Sequence, residues 1–254
     1  MKIEEMSWKE LNEVSRDAIL LISISPLEAH GPHLPLATDL LISKKIEEAV
    51  IEKLKERNIE FLSLPSLPLG VCRYAKNFPG TVNISWKNLY RTIMSIFSSF
   101  SKHKFRYFLI FNFHMDIFHV KAIHKAIKKA RKKGIIACEP LSPAYFSGQL
   151  FEKEDYEVHA DAIETSLALY LFPEIVKNYK IEDVKIKMRI FDTFKTFEEI
   201  GAREAYIGSP SLAKKEEGEK LFNKMVEMFV NSVFLLKEGK VPELPEKLKI
   251  LLGI

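Results

Sequence analysis

The residues able to do chemistry fall into three short stretches. In the first, AILLISISPLEAHGPHLPLATD over residues 18–39, an apolar run stops at Pro26 and Glu28, His30, His33 and Asp39 follow. Glu28 and His30 are two apart, so an extended backbone sends both side chains the same way. Pro32 and Pro35 stiffen the segment by fixing φ. In the second stretch, NFHMD over 112–116, His114 and Asp116 repeat that spacing behind another apolar run. The third, HADAIETS over 159–166, carries His159 and Glu164. Carboxylates and imidazoles together suit Zn, Mn or Fe(II), without choosing among them. Two ions sharing one carboxylate need about five or six protein ligands. Glu28, His30, Asp39, His114 and Asp116 supply that number. The matching chemistry is metal-assisted hydrolysis, in which the ion acidifies a water and polarises a carbonyl. His159 would then deliver a proton to the departing group.

Each candidate also has a plainer reading. Asp39 precedes the amphipathic run Leu40 to Lys55 and is equally a helix N-cap. Taken alone, His114 and Asp116 are ordinary loop residues, while His159 and Glu164 simply cap and decorate a helix start. His103, His119 and His124 read as structural or solvated.

The elements that must position these groups follow from periodicity. A short helix, Ser7 to Val14, is opened by Ser7, and Ala18 to Ile24 reads as a buried strand. Leu40 to Lys55 is a helix with Ile42, Ile46, Val50 and Leu54 near one face. Ile59 to Leu64 is a strand, and an irregular Pro- and Gly-containing loop runs from Pro65 to Thr81. A helix over Trp86 to Ser101, a strand over Arg106 to Phe111, a basic helix over Val120 to Lys133 and a strand over Gly134 to Cys138 come next. Another helix opens near His159 and runs to about Leu171, its dipole expected to lower the His159 pKa. Strands alternating with helices predict an α/β fold with a mostly parallel sheet covered on both faces. Ligands bind beyond the carboxyl ends of such strands, so the first two stretches can converge there.

Composition bounds the rest. A chain of 254 residues, 47% of them hydrophobic, predicts a single domain over 1–254 with a Leu/Ile-bearing C-terminal tail, 241–254. A formal charge of +4, spread along the chain, argues against nucleic acid as a partner. No apolar run reaches membrane-spanning length. Two distant cysteines, Cys72 and Cys138, in no metal-like spacing and with no signal peptide ahead of them, predict a reducing cytoplasm. A single glutamine, Gln149, beside abundant Lys, Glu and Ile is thermophile-like.

The first stretch, Glu28-Ala29-His30-Gly31-Pro32-His33-Leu34-Pro35-Leu36 with Thr38-Asp39, resembles the creatininase family signature E-x-H-G-P-H-L-P-L-x-T-D. Phe78-Pro79-Gly80-Thr81 is similar to the family's F-P-G-T, and Asn112-Phe113-His114 to its N-G-H. The stretch from His159 to Ser166 resembles H-A-G-x-x-E-T-S, and Gly208 to Ala213 with Glu217-Gly218 echoes a late G-x-P-x-x-A…E-x-G. The resemblance implies a three-layer α/β/α sandwich and two divalent ions per subunit. It also implies hydrolysis of a non-peptide amide or formamide C–N bond in a small molecule, catalytic or supporting roles for His159 and Glu164, and homo-oligomers such as hexamers. Asp116 stands where the creatinine-hydrolysing branch has an acidic residue, and His33 suits a supporting hydrogen bond. Phe113 and Asp161 replace glycines, and Ala75-Lys76-Asn77 replaces a loop that carries histidine in many relatives. With Arg73 and Lys76 as phosphate partners, these departures favour the archaeal branch that deformylates a phosphorylated formylaminopyrimidine in riboflavin and deazaflavin synthesis. Creatinine hydrolysis is the alternative, and a non-catalytic metal-binding homologue with Phe113 filling the pocket is a third reading.

Overall fold

The computed structural model describes residues 1–151 and 154–254. Helix α1 (Trp8–Glu13) opens on a capping box, Ser7 Oγ accepting from Glu10 N–H while the Glu10 carboxylate accepts from Ser7 N–H at 2.7 Å. Then follow β1 (Ile19–Ser23), α2 (Thr38–Glu56), β2 (Phe61–Ser63), α3 (Trp86–Ser101), β3 (Tyr107–Phe111), α4 (Ile117–Arg131), β4 (Ile136–Cys138), α5 (Leu141–Phe146) and α6 (Ala162–Leu171). The long α7 (Lys215–Lys237) and a final α8 (Glu246–Leu252) complete the chain. All four strands pair in parallel in the order β2-β1-β3-β4, with Ile19 opposite Tyr107 and Ser23 opposite Phe111.

Alternation along the buried strands sorts side chains to two faces. Ile19, Leu21, Leu109 and Phe111 pack with Ile42 and Ile46 of α2, Leu167 of α6 and Met225 and Phe229 of α7. Leu20, Ile22, Phe108 and Ile110 pack on the other side with Ile93 and Phe97 of α3 and Ile123 of α4. The result is the expected three-layer α/β/α arrangement. Because β1 and β3 are parallel neighbours, the loops leaving both open at one edge of the sheet.

The helix starts differ from expectation in an instructive way. Helix α2 begins at Thr38, after Ala37 as a cap without a side-chain bond, so Asp39 lies inside the first turn and faces inward. Helix α4 begins at Ile117, three residues earlier than Val120, because Asp116 caps it. At the far end, α7 lies so close to α6 that a Cβ on Gly218 would stand 2.0 Å from the Ser166 carbonyl oxygen, and only glycine permits the approach. The tail is tied down: Leu244 and Leu252 bury against Val120 of α4. Among the described residues no helix is long and apolar enough to cross a membrane.

Candidate metal centre

The loop after β1 folds back on itself, with Glu28 N–H donating to the Leu36 carbonyl at 2.9 Å. Backbone carbonyls set the two imidazoles, His30 from this loop and His114 from the loop after β3. His30 donates through Nδ1 to the Glu28 carbonyl at 2.9 Å, since a carbonyl only accepts, and this leaves Nε2 aimed at Asp39 Oδ1 at 3.2 Å. From the loop after β3, His114 donates through Nε2 to the Val71 carbonyl at 2.8 Å and turns Nδ1 to Asp39 Oδ2 at 2.9 Å. Asp39 thus places one oxygen on each imidazole. Histidines held by one nitrogen and presenting the other are oriented as metal ligands are.

The remaining carboxylates close around this core. Glu28 Oε2 is 3.1 Å from His114 Nδ1, but that nitrogen is directed at Asp39, and the buried Oε2 makes no hydrogen bond. Glu164 Oε2 is 3.7 Å from His30 Nε2 and accepts from Ala160 N–H at 2.6 Å. Glu28, His30 and Asp39 are each 1% exposed. Burial alone would neutralise such groups, yet each stabilises the other's charge. For His30, desolvation pulls the pKa down, but the charge and hydrogen bond of Asp39 outweigh it and raise it to about 10. For Asp39, burial pushes upward and the two imidazoles hold it far below the usual carboxylate range. Burial lifts Glu164 to about 7, against the pull of His30.

His159 reaches the same place from elsewhere. Its ring lies 4.3 Å from that of His30 and stacks on Phe197 at 4.9 Å, with Nε2 donating to the Ala29 carbonyl at 2.8 Å. It is not at the helix start: Asp161 caps α6, and Ala160, at φ +47°, turns the chain between them. Its pKa is lowered by burial and by the charge of His30, so the helix-dipole expectation is replaced by these causes. His33 accepts or donates at Thr165 Oγ1, 3.0 Å away, in the supporting role expected of it.

Three expectations meet a different geometry. Asp116, expected as a ligand beside His114, is engaged as a cap: Oδ1 accepts from Phe118 and His119 N–H and Oδ2 from Arg73 N–H. The Arg73 guanidinium lies 4.3 Å over the Phe118 ring and 5.4 Å from that of Phe194, while Lys76 is exposed. Phe113 is a wall of the cavity in front of the cluster and does not fill it. That cavity is about 180 Å³, with Glu28, Asp39, His114, Asp116, His159 and Glu164 among its lining. Its other walls are mainly apolar, including Met115, Tyr145, Phe146, Leu150 and Phe197, and no Lys or Arg lines it among the described residues.

Ligand-competent atoms cluster within 4.8 Å of one another in three groups: Glu28, Cys72 and His114; Glu28, His30 and His159; and His30, Asp39 and Glu164. The donor set and the orphaned Glu28 oxygen fit divalent cations. The sequence gives no sign that Cys72, read there only as a distant cysteine, or Phe197 belongs to the site. Cys72 lies 44 residues from Glu28 in no ligand spacing, and Phe197 sits in an irregular segment without periodicity.

The sequence profile of the creatininase family, described as creatinine amidohydrolase, matches residues 4–233. The creatinine amidohydrolase of Pseudomonas putida is 27% identical over 91% of this chain and 95% of its own. A mycofactocin precursor peptide peptidase of Mycolicibacterium smegmatis is 26% identical over 82% of this chain and 81% of its own. In structure, a crystalline creatinine amidohydrolase superposes with a TM-score of 0.72 at 23% identity, covering 93% of this chain and 97% of that one. Solved creatininases of this fold include a manganese form and a zinc–zinc form. Sequence profile, sheet order and strand-end cluster agree: the chain belongs to the creatininase family of metal-dependent amidohydrolases.

Proposed function

We propose that this chain hydrolyses the amide C–N bond of a compact, uncharged small molecule at a pair of divalent ions held by Glu28, His30, Asp39, His114 and Glu164. The observation that carries the reading is Asp39, one oxygen on each imidazole, at the floor of a small apolar cavity. Glu28 and His114 would hold one ion and His30 and Glu164 the other, with Asp39 available to both. Glu164 completes the set in place of Asp116, because it falls in one ligand-competent group with His30 and Asp39, while Asp116 caps α4 and falls in no such group among the described residues. Bound there, the ions supply Lewis acidity toward the carbonyl and acidify the attacking water.

The protein's own groups do the rest. With Nε2 donating to Ala29, His159 exchanges protons through Nδ1, and its lowered pKa makes it an acceptor first and a donor second. It takes the proton of the attacking water and returns it to the departing nitrogen. Phe113, Phe197 and Met115 exclude bulk water and offer apolar contact to the body of the substrate. An anion partner is harder to place, because Arg73 is engaged with two aromatic rings outside the cavity lining. Creatinine, a compact cyclic amide, therefore ranks above a phosphorylated formamide as a probe. The test is turnover of both by the manganese- and zinc-loaded protein. Creatinine or a similar neutral amide should be the better substrate, and faster formate release from the phosphorylated pyrimidine would overturn this choice.

A further inference from the structure

The third face of the cluster is a sulfur. Cys72 is fully buried, and its Sγ joins Glu28 and His114 in a group whose ligand atoms lie within 4.8 Å of one another. The loop that carries it is fixed by its backbone on three sides. Val71 N–H donates to His119 Nδ1 at 3.3 Å, Cys72 N–H to Asn83 Oδ1 at 3.0 Å, and Arg73 N–H to Asp116 Oδ2 at 3.3 Å. The thiol reaches the Val82 carbonyl at 3.9 Å, a weak bond, and also bonds the His114 imidazole. Burial and the Glu28 charge push its pKa up to about 12, so it is a cation beside it that would draw off the proton. Independently of the thiol, Glu28 Oε2 is buried without a hydrogen-bond partner in the same group, an acceptor whose partner is a cation. The other buried cysteine, Cys138, belongs to no such group among the described residues.

We infer that Cys72 is a thiolate ligand of the ion held by Glu28 and His114, so that the two metal positions differ in softness. The inference rests on the metal-pair reading above. As the sulfur–metal bond forms, the S–H bond breaks and its proton leaves to solvent. A carboxylate, an imidazole and a thiolate favour Zn, Co or Fe(II) over Mn at this position, while His30, Asp39 and Glu164 present only nitrogen and oxygen to the other.

Cobalt(II) is the probe, because thiolate ligation adds a sulfur-to-cobalt charge-transfer band in the near ultraviolet, separate from the visible ligand-field bands. Metal-free protein titrated with cobalt should develop both. Cys72→Ser should bind cobalt, as measured by elemental analysis, and lose the charge-transfer band, while Cys138→Ser keeps it. Ligand-field bands without a charge-transfer band in the unaltered protein would overturn the thiolate and leave the metal pair standing. A band that survives in Cys72→Ser would overturn it too. Failure to bind cobalt at all would remove both the thiolate and the metal-pair reading. The unaltered protein's spectrum decides the matter even if the variant fails to fold.

Discussion

The two halves of the cluster differ in how they are held. Glu28, His114 and Cys72 are 5% exposed or less and come from loops that follow β1, β2 and β3, each fixed by backbone hydrogen bonds. His30, Asp39 and Glu164 share the core, but Glu164 keeps 15% of its side chain open and lines the same cavity as His159. Both halves line the cavity, one through Glu28 and His114 and the other through Asp39 and Glu164. The second half, with a carboxyl lifted by burial to about 7 and the His159 imidazole, its pKa lowered by burial, in the same lining, is built to react. The same sheet edge produces both, and the difference comes from what the later segment, 157–208, adds over the second half.

The largest expected effect is from Asp39→Ala, which removes the only carboxylate among the described residues hydrogen-bonded to both His30 and His114. Elemental analysis should find most of both ions gone and activity lost. The loss should exceed the roughly 10–100-fold that altering a ligand's supporting partner costs. Undiminished metal would break the bridging assignment and with it the link between the halves. Next comes His159→Ala, which belongs to the reacting half alone. It should keep the metal and lose about 100- to 10,000-fold in kcat, the range of a general acid–base group. Loss of metal in that variant would make His159 a ligand. The smallest structural change is Glu164→Gln, which should release one ion of the two and leave the Glu28–His114 position loaded. Loss of both would show that the halves do not fill separately.

The candidates at the strand ends, Glu28, His30 and His114, are largely legible in the sequence, and the reasons are local. Glu28 and His30 two apart on a stiff loop, and His114 just past an apolar strand, project by backbone geometry alone. Helix α3 ran from Trp86 to Ser101 as its periodicity predicted, opened by Ser85. Aspartates at helix starts were the ambiguous case, since a carboxylate there caps or ligates with equal sequence support. Asp39 reads as a ligand with a helix cap as the plainer alternative, and it turns inward; Asp116 reads as a ligand or an ordinary loop residue, and it caps α4. Only three-dimensional placement separates them, because a cap needs its own helix's N–H groups and a ligand needs neighbours from other loops. Cys72 and Phe197 depend wholly on such neighbours. Sheet order brings Cys72 to Glu28, and the irregular chain before α7 lays Phe197 on His159.

The central claim is that Asp39 joins two ions, and anomalous diffraction from zinc-loaded crystals tests it most directly. Two peaks should flank Asp39, one within ligand distance of Glu28 and His114 and the other of His30 and Glu164. A single peak, or a pair that leaves Asp39 out, would contradict it.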